Sequence, residues 1–207
     1  MSTRVPQIGI SAWRVVLATI GLFAFFQTQA LASTALPPDR AALVFFKCIP
    51  YNQAWEDADE VVIEVVAIHP AQLDRATTIA DYLKAISEQA HKKDPSVPSL
   101  STSVSVLTDP RELAKRPDEP DVLFLVSGDQ APAAGVMGNL AQAAISRSIL
   151  IVSESEERLE DVSSLAFVVS TKNNRPEIVI HLERSKAQGA RFKIGLVRLA
   201  RVWERTP

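Results

Sequence analysis

The chain has 207 residues, 22 basic against 24 acidic side chains and a formal charge of −2. That balance excludes the clustered basic face of a nucleic-acid-binding domain. A single cysteine, Cys48, excludes a disulfide within the chain, so a hydrophobic core alone must hold the fold.

Residues 1–32 read as a cleavable secretory leader. Arg4 and Arg14 precede the uncharged apolar run Val15 to Phe26, and Ala30, Leu31 and Ala32 form an A-x-A exit site. The run is shorter than the roughly 20 apolar residues that a bilayer-crossing helix needs. Position 33 is Ser, not Cys, so it offers no lipid attachment point. The remaining 33–207 suits one domain with a substantial core, working outside the cytoplasm.

Pro37, Pro38 and Asp39 predict a helix start, with Asp39 accepting from the free first-turn amides, and Pro50 predicts its end. Within that helix Cys48 reads as a small buried hydrophobe. Val61 to Ile68 is apolar on both faces, as in a parallel strand covered on both sides, although Glu64 interrupts it and must either face solvent on an edge or find a partner. Leu73, Ala76, Ala80, Leu83 and Ile86 give an amphipathic helix. Then follow a strand at Ser103 to Leu107, a short helix at Arg111 to Lys115 and a buried strand at Val122 to Val126. A helix through Val136, Met137, Leu140, Ala141 and Ala144 leads to a strand at Ile149 to Val152. Leu165 to Val169 and Glu177 to Leu182 flank the turn-prone Asn173 and Asn174, which predicts an antiparallel hairpin. Phe192, Leu196, Leu199, Ala200 and Trp203 predict a closing helix. The expected fold is therefore α/β: one domain, a mostly parallel mixed sheet flanked by helices in a Rossmann-like sandwich, and a hairpin near the C-terminus.

Motifs for catalysis are thin. Ser127 follows a strand as a hydrolase nucleophile would, but Leu125 and Asp129 stand where the G-x-S-x-G elbow needs glycines, so a turn residue is the plainer reading. His69, His91 and His181 lack metal-ligand spacing, and Gly128, Gly135 and Gly138 fit no phosphate-binding loop. No catalytic residue, metal or cofactor is expected. His181, within an apolar strand, reads as a histidine satisfied by a backbone acceptor. The acidic run Glu154, Glu156, Glu157, Glu160 and Asp161 reads first as a solvated face. His69, Ser127, Asp129, Ser153 and Glu154 remain the candidates for ligand or partner contact, because all follow strands at the carboxyl edge, where open α/β sheets bind ligands.

The order of D-V-L-F-L-V-S (121–127), S-I-L-I-V-S (148–153), R-P-E-I-V-I-H-L (175–182) and K-A-Q-G-A-R-F-K-I-G-L-V-R-L-A (186–200) resembles the YfiR-like periplasmic proteins. That resemblance implies a periplasmic regulator, not an enzyme. Its partner would be the periplasmic domain of a membrane signalling protein such as a diguanylate cyclase or sensor kinase, repressed while bound, with a homodimer as a further association. Two departures stand out: the chain cannot form the internal disulfide that several relatives use, and His181 occupies a position where the family often has Asn. A small-molecule sensor or solute-binding domain is the alternative, using the cleft beyond Ser127, Ser153 and His69.

Overall fold

The computed structural model describes residues 35–107, 119–126, 128 and 135–204. The leader, the expected helix at 111–115, Ser127 and Asp129 lie outside them. Within Ala35–Pro207, which forms one compact unit, the described elements run in chain order as α1 (Pro38–Cys48), β1 (Glu60–Ala67), α2 (Leu73–Lys93), β2 (Ser99–Val106), β3 (Val122–Leu125), α3 (Val136–Arg147), β4 (Leu150–Ser153), α4 (Glu157–Asp161), β5 (Leu165–Val169), β6 (Pro176–Ile180), α5 (Leu182–Ala187), α6 (Ile194–Leu199) and β7 (Arg201–Val202).

The strands form one seven-stranded sheet in the order β2-β1-β3-β4-β5-β6-β7. The first five run parallel, and β6 turns back antiparallel to β5 with β7 parallel beside it. This is the expected mixed α/β sheet. Alternation in β1 sends Val61, Ile63, Val65 and Ala67 into the face covered by α1 and α2, where Phe45 sits edge-on to Phe124 at 5.7 Å and 87°. Val66, Leu123, Leu125 and Ile151 face Met137, Leu140 and Ala144 of α3. Burial on both faces explains why β1, β3 and β4 are almost wholly apolar, with Glu64 the exception in β1.

Cys48 is buried as expected. Its thiol donates to the Val44 carbonyl, and desolvation pushes its pKa up to about 12, which makes it unreactive. Glu64 is only 3% exposed and lies on β1, an interior strand, so the solvent-facing edge is excluded for it. Asp39 makes no capping bond: Pro37 is the cap residue, and Asp39 sits inside the first turn, where it can only favour the helix dipole.

The C-terminal region departs most from expectation. The strand at 177–182 stops at Ile180, because the His181 ring caps α5: its Nδ1 accepts from the Arg184 N–H at 3.3 Å, so its partner is a backbone donor instead of an acceptor. The closing helix ends at Leu199, and the chain extends so that Arg201 and Val202 pair with Val179 and Ile180. Exposed strand edges gain hydrogen bonds from such an addition, and here that outweighs continuing the helical period to Trp203. Trp203 stacks on His181 with ring centroids 4.9 Å apart.

Partial burial, and then the Arg184 charge, hold the His181 imidazole below its ordinary 6.5. The unfolded chain therefore takes up this proton at a higher pH than the folded one. Stability from His181 is complete above the ordinary value and is lost as pH falls through the lowered folded value. The expected result is a denaturation midpoint that falls as pH drops below 6.5, and falls less in His181→Asn, which can cap without titrating. Equal slopes in the two proteins would refute it.

Candidate functional site

Strand order reverses at β1. From β1 the chain moves outward to β2, then crosses back to β3 on the other side of β1, so the connections leaving the carboxyl ends of β1 and β3 depart in opposite directions. Open α/β sheets form a crevice at such a point, with main-chain groups and helix starts around it. β4 supplies the next carboxyl end along the same edge.

The connection after β1 is rigid. His69 Nδ1 accepts from the Ala71 N–H, while Gln72 Oε1 accepts from the Ile68 and His69 amides at 2.8 and 3.1 Å. Together they make a capping box around the short turn Pro70–Gln72, which feeds α2. The half-buried His69 ring therefore has one nitrogen committed to the backbone.

Gly128 brings the connection after β3 against this turn. A Cβ placed there would lie 2.0 Å from Gln72 Nε2, whose amide group is anchored by the two bonds at its oxygen. Only glycine lets the two connections approach so closely. Gly128→Ala should displace Gln72 and destabilise the protein by about 1–3 kcal/mol, the usual cost of overpacking. Urea denaturation checks this, and an unchanged midpoint would show that the contact is not maintained in solution.

The connection after β4 closes on α2 through an ion pair. Arg75, in the first turn of α2, donates Nε to Glu154 Oε2 at 3.0 Å and Nη2 to Glu154 Oε1. The same Nη2 also donates to the Leu36 carbonyl. The Glu154 side chain is fully buried and that of Arg75 is 27% exposed. Leu36 belongs to the segment whose Ala35 bridges Val168 of β5, so the guanidinium ties three separate parts of the chain at the carboxyl edge.

Of the residues expected here, His69 follows β1, Ser153 ends β4 and Glu154 comes just after it, so all three lie at the carboxyl edge, on strands separated by β3. Their chemistry is directed inward: Ser153 is 1% exposed and its hydroxyl donates to the Ser155 carbonyl, and Glu154 is held by Arg75. Both are supports of the site, not open contacts. The solvated acidic face is likewise corrected at Glu154, and Glu156 pairs with Arg201 at 2.7 Å. Gln72, Arg75 and Gly128 were not anticipated. The only local signal was the spacing from His69 to Gln72, a capping-box pattern with His at the position where Ser or Thr is usual. Among the described residues no cluster of His, Cys, Asp or Glu could hold a metal ion.

With this geometry in view, the fold has clear likenesses. An ABC domain in complex with L-Trp from Streptococcus pneumonia superposes with a TM-score of 0.52 at 12% identity, covering 81% of this chain and 62% of that one. A ligand-free, open substrate binding protein with adhesive properties from Clostridium difficile gives 0.53 at 10% identity, covering 83% and 61%. The chain thus spans about three-fifths of the length of each. At such identities the likeness is one of fold. No protein-family model and no curated protein matches the sequence. No described helix is long and apolar enough to cross a membrane.

Proposed function

We propose that this chain is an extracytoplasmic binding domain that takes a small molecule at the β1/β3 switch point. The strand-order reversal carries this reading, because open α/β sheets bind ligands where the connections diverge at the carboxyl edge, and Gln72 and Gly128 meet at that point, with the partly exposed Arg75 in the helix turn that follows. The substrate-binding and L-Trp-bound proteins of similar fold support it, as does the leader expected at 1–32. The edge fits binding better than catalysis, since the polar groups described there are spent on holding the backbone.

Ligand-observed NMR with pooled amino acids, nucleosides and short peptides tests it. Binding that weakens at least tenfold in Gly128→Ala, with the fold retained, supports the switch-point site. Binding by no pool, or binding indifferent to that change, counts against it.

A second reading has an observation of its own. Ile194 and Leu199 are 65% and 68% exposed and Val202 lies close by in the chain. They fall within and just after 186–200, the last of the four stretches that carry the YfiR resemblance. An apolar surface suits docking to the periplasmic domain of a membrane signalling protein. A deletion strain with unchanged cyclic di-GMP, and no membrane cyclase crosslinked to the protein, would remove this reading.

A further inference from the structure

The two edges of the sheet are built differently. At one end β7 is two residues long and carries Arg201, paired with Glu156 and Glu177, the kind of short charged edge that resists further strand addition. At the other end β2 runs for eight residues, Ser-Leu-Ser-Thr-Ser-Val-Ser-Val, with no charge, no proline and no bulge in its register with β1.

The hydrogen bonds show which groups face outward. Ser99 and Leu107 donate to Asp59 and Ala67 at the two ends of the ladder, so the odd-numbered residues bond to β1 and the even-numbered ones point away. Leu100 N–H is taken by the Ser87 hydroxyl. The N–H and C=O groups of Thr102, Val104 and Val106 are left along the open edge, and no described strand lies beside them.

We infer that this edge pairs with a second copy of the chain, β2 against β2, antiparallel across a twofold axis at Val104. In that register Val104 opposes Val104 of the second copy and Thr102 opposes Val106. Each such pair exchanges both of its N–H···O=C bonds, while Ser103 faces Ser105 in the intervening non-hydrogen-bonded pairs. A twofold axis places like beside like. Only a strand without charge tolerates that, and an uncharged strand gives an oppositely charged partner nothing to recognise. The two sheets would join into one, with both α2 helices on the same face. This pairing is independent of what binds at the carboxyl edge.

The test uses the protein purified as the cell makes it. Sedimentation over a concentration series should show a reversible dimer, and Val104→Pro should abolish it while leaving the circular dichroism spectrum intact, since the lost N–H faces outward and not toward β1. Ser103→Cys should not crosslink to itself under oxidising conditions, because in this register it opposes Ser105, whose hydroxyl is buried within its own copy; buried Cys48 does not interfere. A monomer at every concentration would overturn the proposal. So would a dimer that survives Val104→Pro, or a Ser103→Cys protein that crosslinks to itself.

Discussion

Gln188→Leu should lower the free energy of unfolding by about 3 kcal/mol or more, the largest loss expected from any single change outside the apolar core. Gln188 is 1% exposed, and its amide serves three buried groups. Oε1 accepts from the Ile151 N–H at 2.9 Å and from the Ser164 hydroxyl at 2.6 Å, and Nε2 donates to the Val162 carbonyl at 2.9 Å. These bonds join the amino ends of β4 and β5, where the two strands have only a short shared ladder. Leu matches Gln in size but leaves a donor, a hydroxyl and a carbonyl without their partner, at about 1–3 kcal/mol each before relaxation. The neighbouring Gly189 (φ +81°) ends α5 in a Schellman arrangement, with Ala190 N–H bonded to Ser185 O and Gly189 N–H to Lys186 O, and this turns the Gln188 side chain inward. Equilibrium denaturation with an unchanged slope would check the figure. A loss under 1 kcal/mol would mean that water reaches these groups.

The second large effect is expected at the carboxyl edge. Arg75→Met removes the guanidinium facing a fully buried carboxylate, and breaking a buried pair from one side costs about 3–5 kcal/mol; the partial exposure of Arg75 places this case at the lower end. Adding Glu154→Leu should recover much of the loss, because the charge that needed compensation is gone. The recovery separates an ion pair from mere packing: if the double variant is as unstable as the sum of the singles, the coupling inferred from the geometry is wrong. Since Arg75 also holds the Leu36 carbonyl, the double variant should still release the segment that bridges β5 at Ala35. Loss of the NMR contacts between Ala35 and Val168 would report this.

How legible these features were follows from how far apart their parts lie. β1, β3 and β4 were readable because a strand buried on both faces is apolar at nearly every position, with Glu64 the exception in β1. The first half of β2 was not, since Ser99, Ser101 and Thr102 look like loop until β1 supplies the register. α5 was hidden by its cap: His181 does the work usually given to Ser, Thr, Asp or Asn, and the apolar run before it invites a longer strand. At the C-terminus the helical period runs on to Trp203, but the open edge of β6 decides the conformation there, and no local pattern carries that information. The candidate site divides in the same way. Ser153 and Glu154 were placed at the right edge by their strand, yet the residue that neutralises Glu154 lies 79 positions earlier. The role of Gly128 depends on a glutamine in another connection altogether. The stretch 186–200 contains Gln188 and Gly189, whose contacts stitch the sheet at its amino edge, away from the proposed ligand site.

Amide chemical-shift mapping during titration with whichever small molecule the NMR pools identify addresses ligand binding at the switch point most directly. Shifts concentrated at Ile68, His69, Gln72, Arg75 and Gly128, and lost together in Gly128→Ala, are the predicted result. Shifts confined to Ile194, Leu199 and Val202, with the β1 and β3 connections unmoved, would contradict it and make the C-terminal apolar surface the working face of the protein.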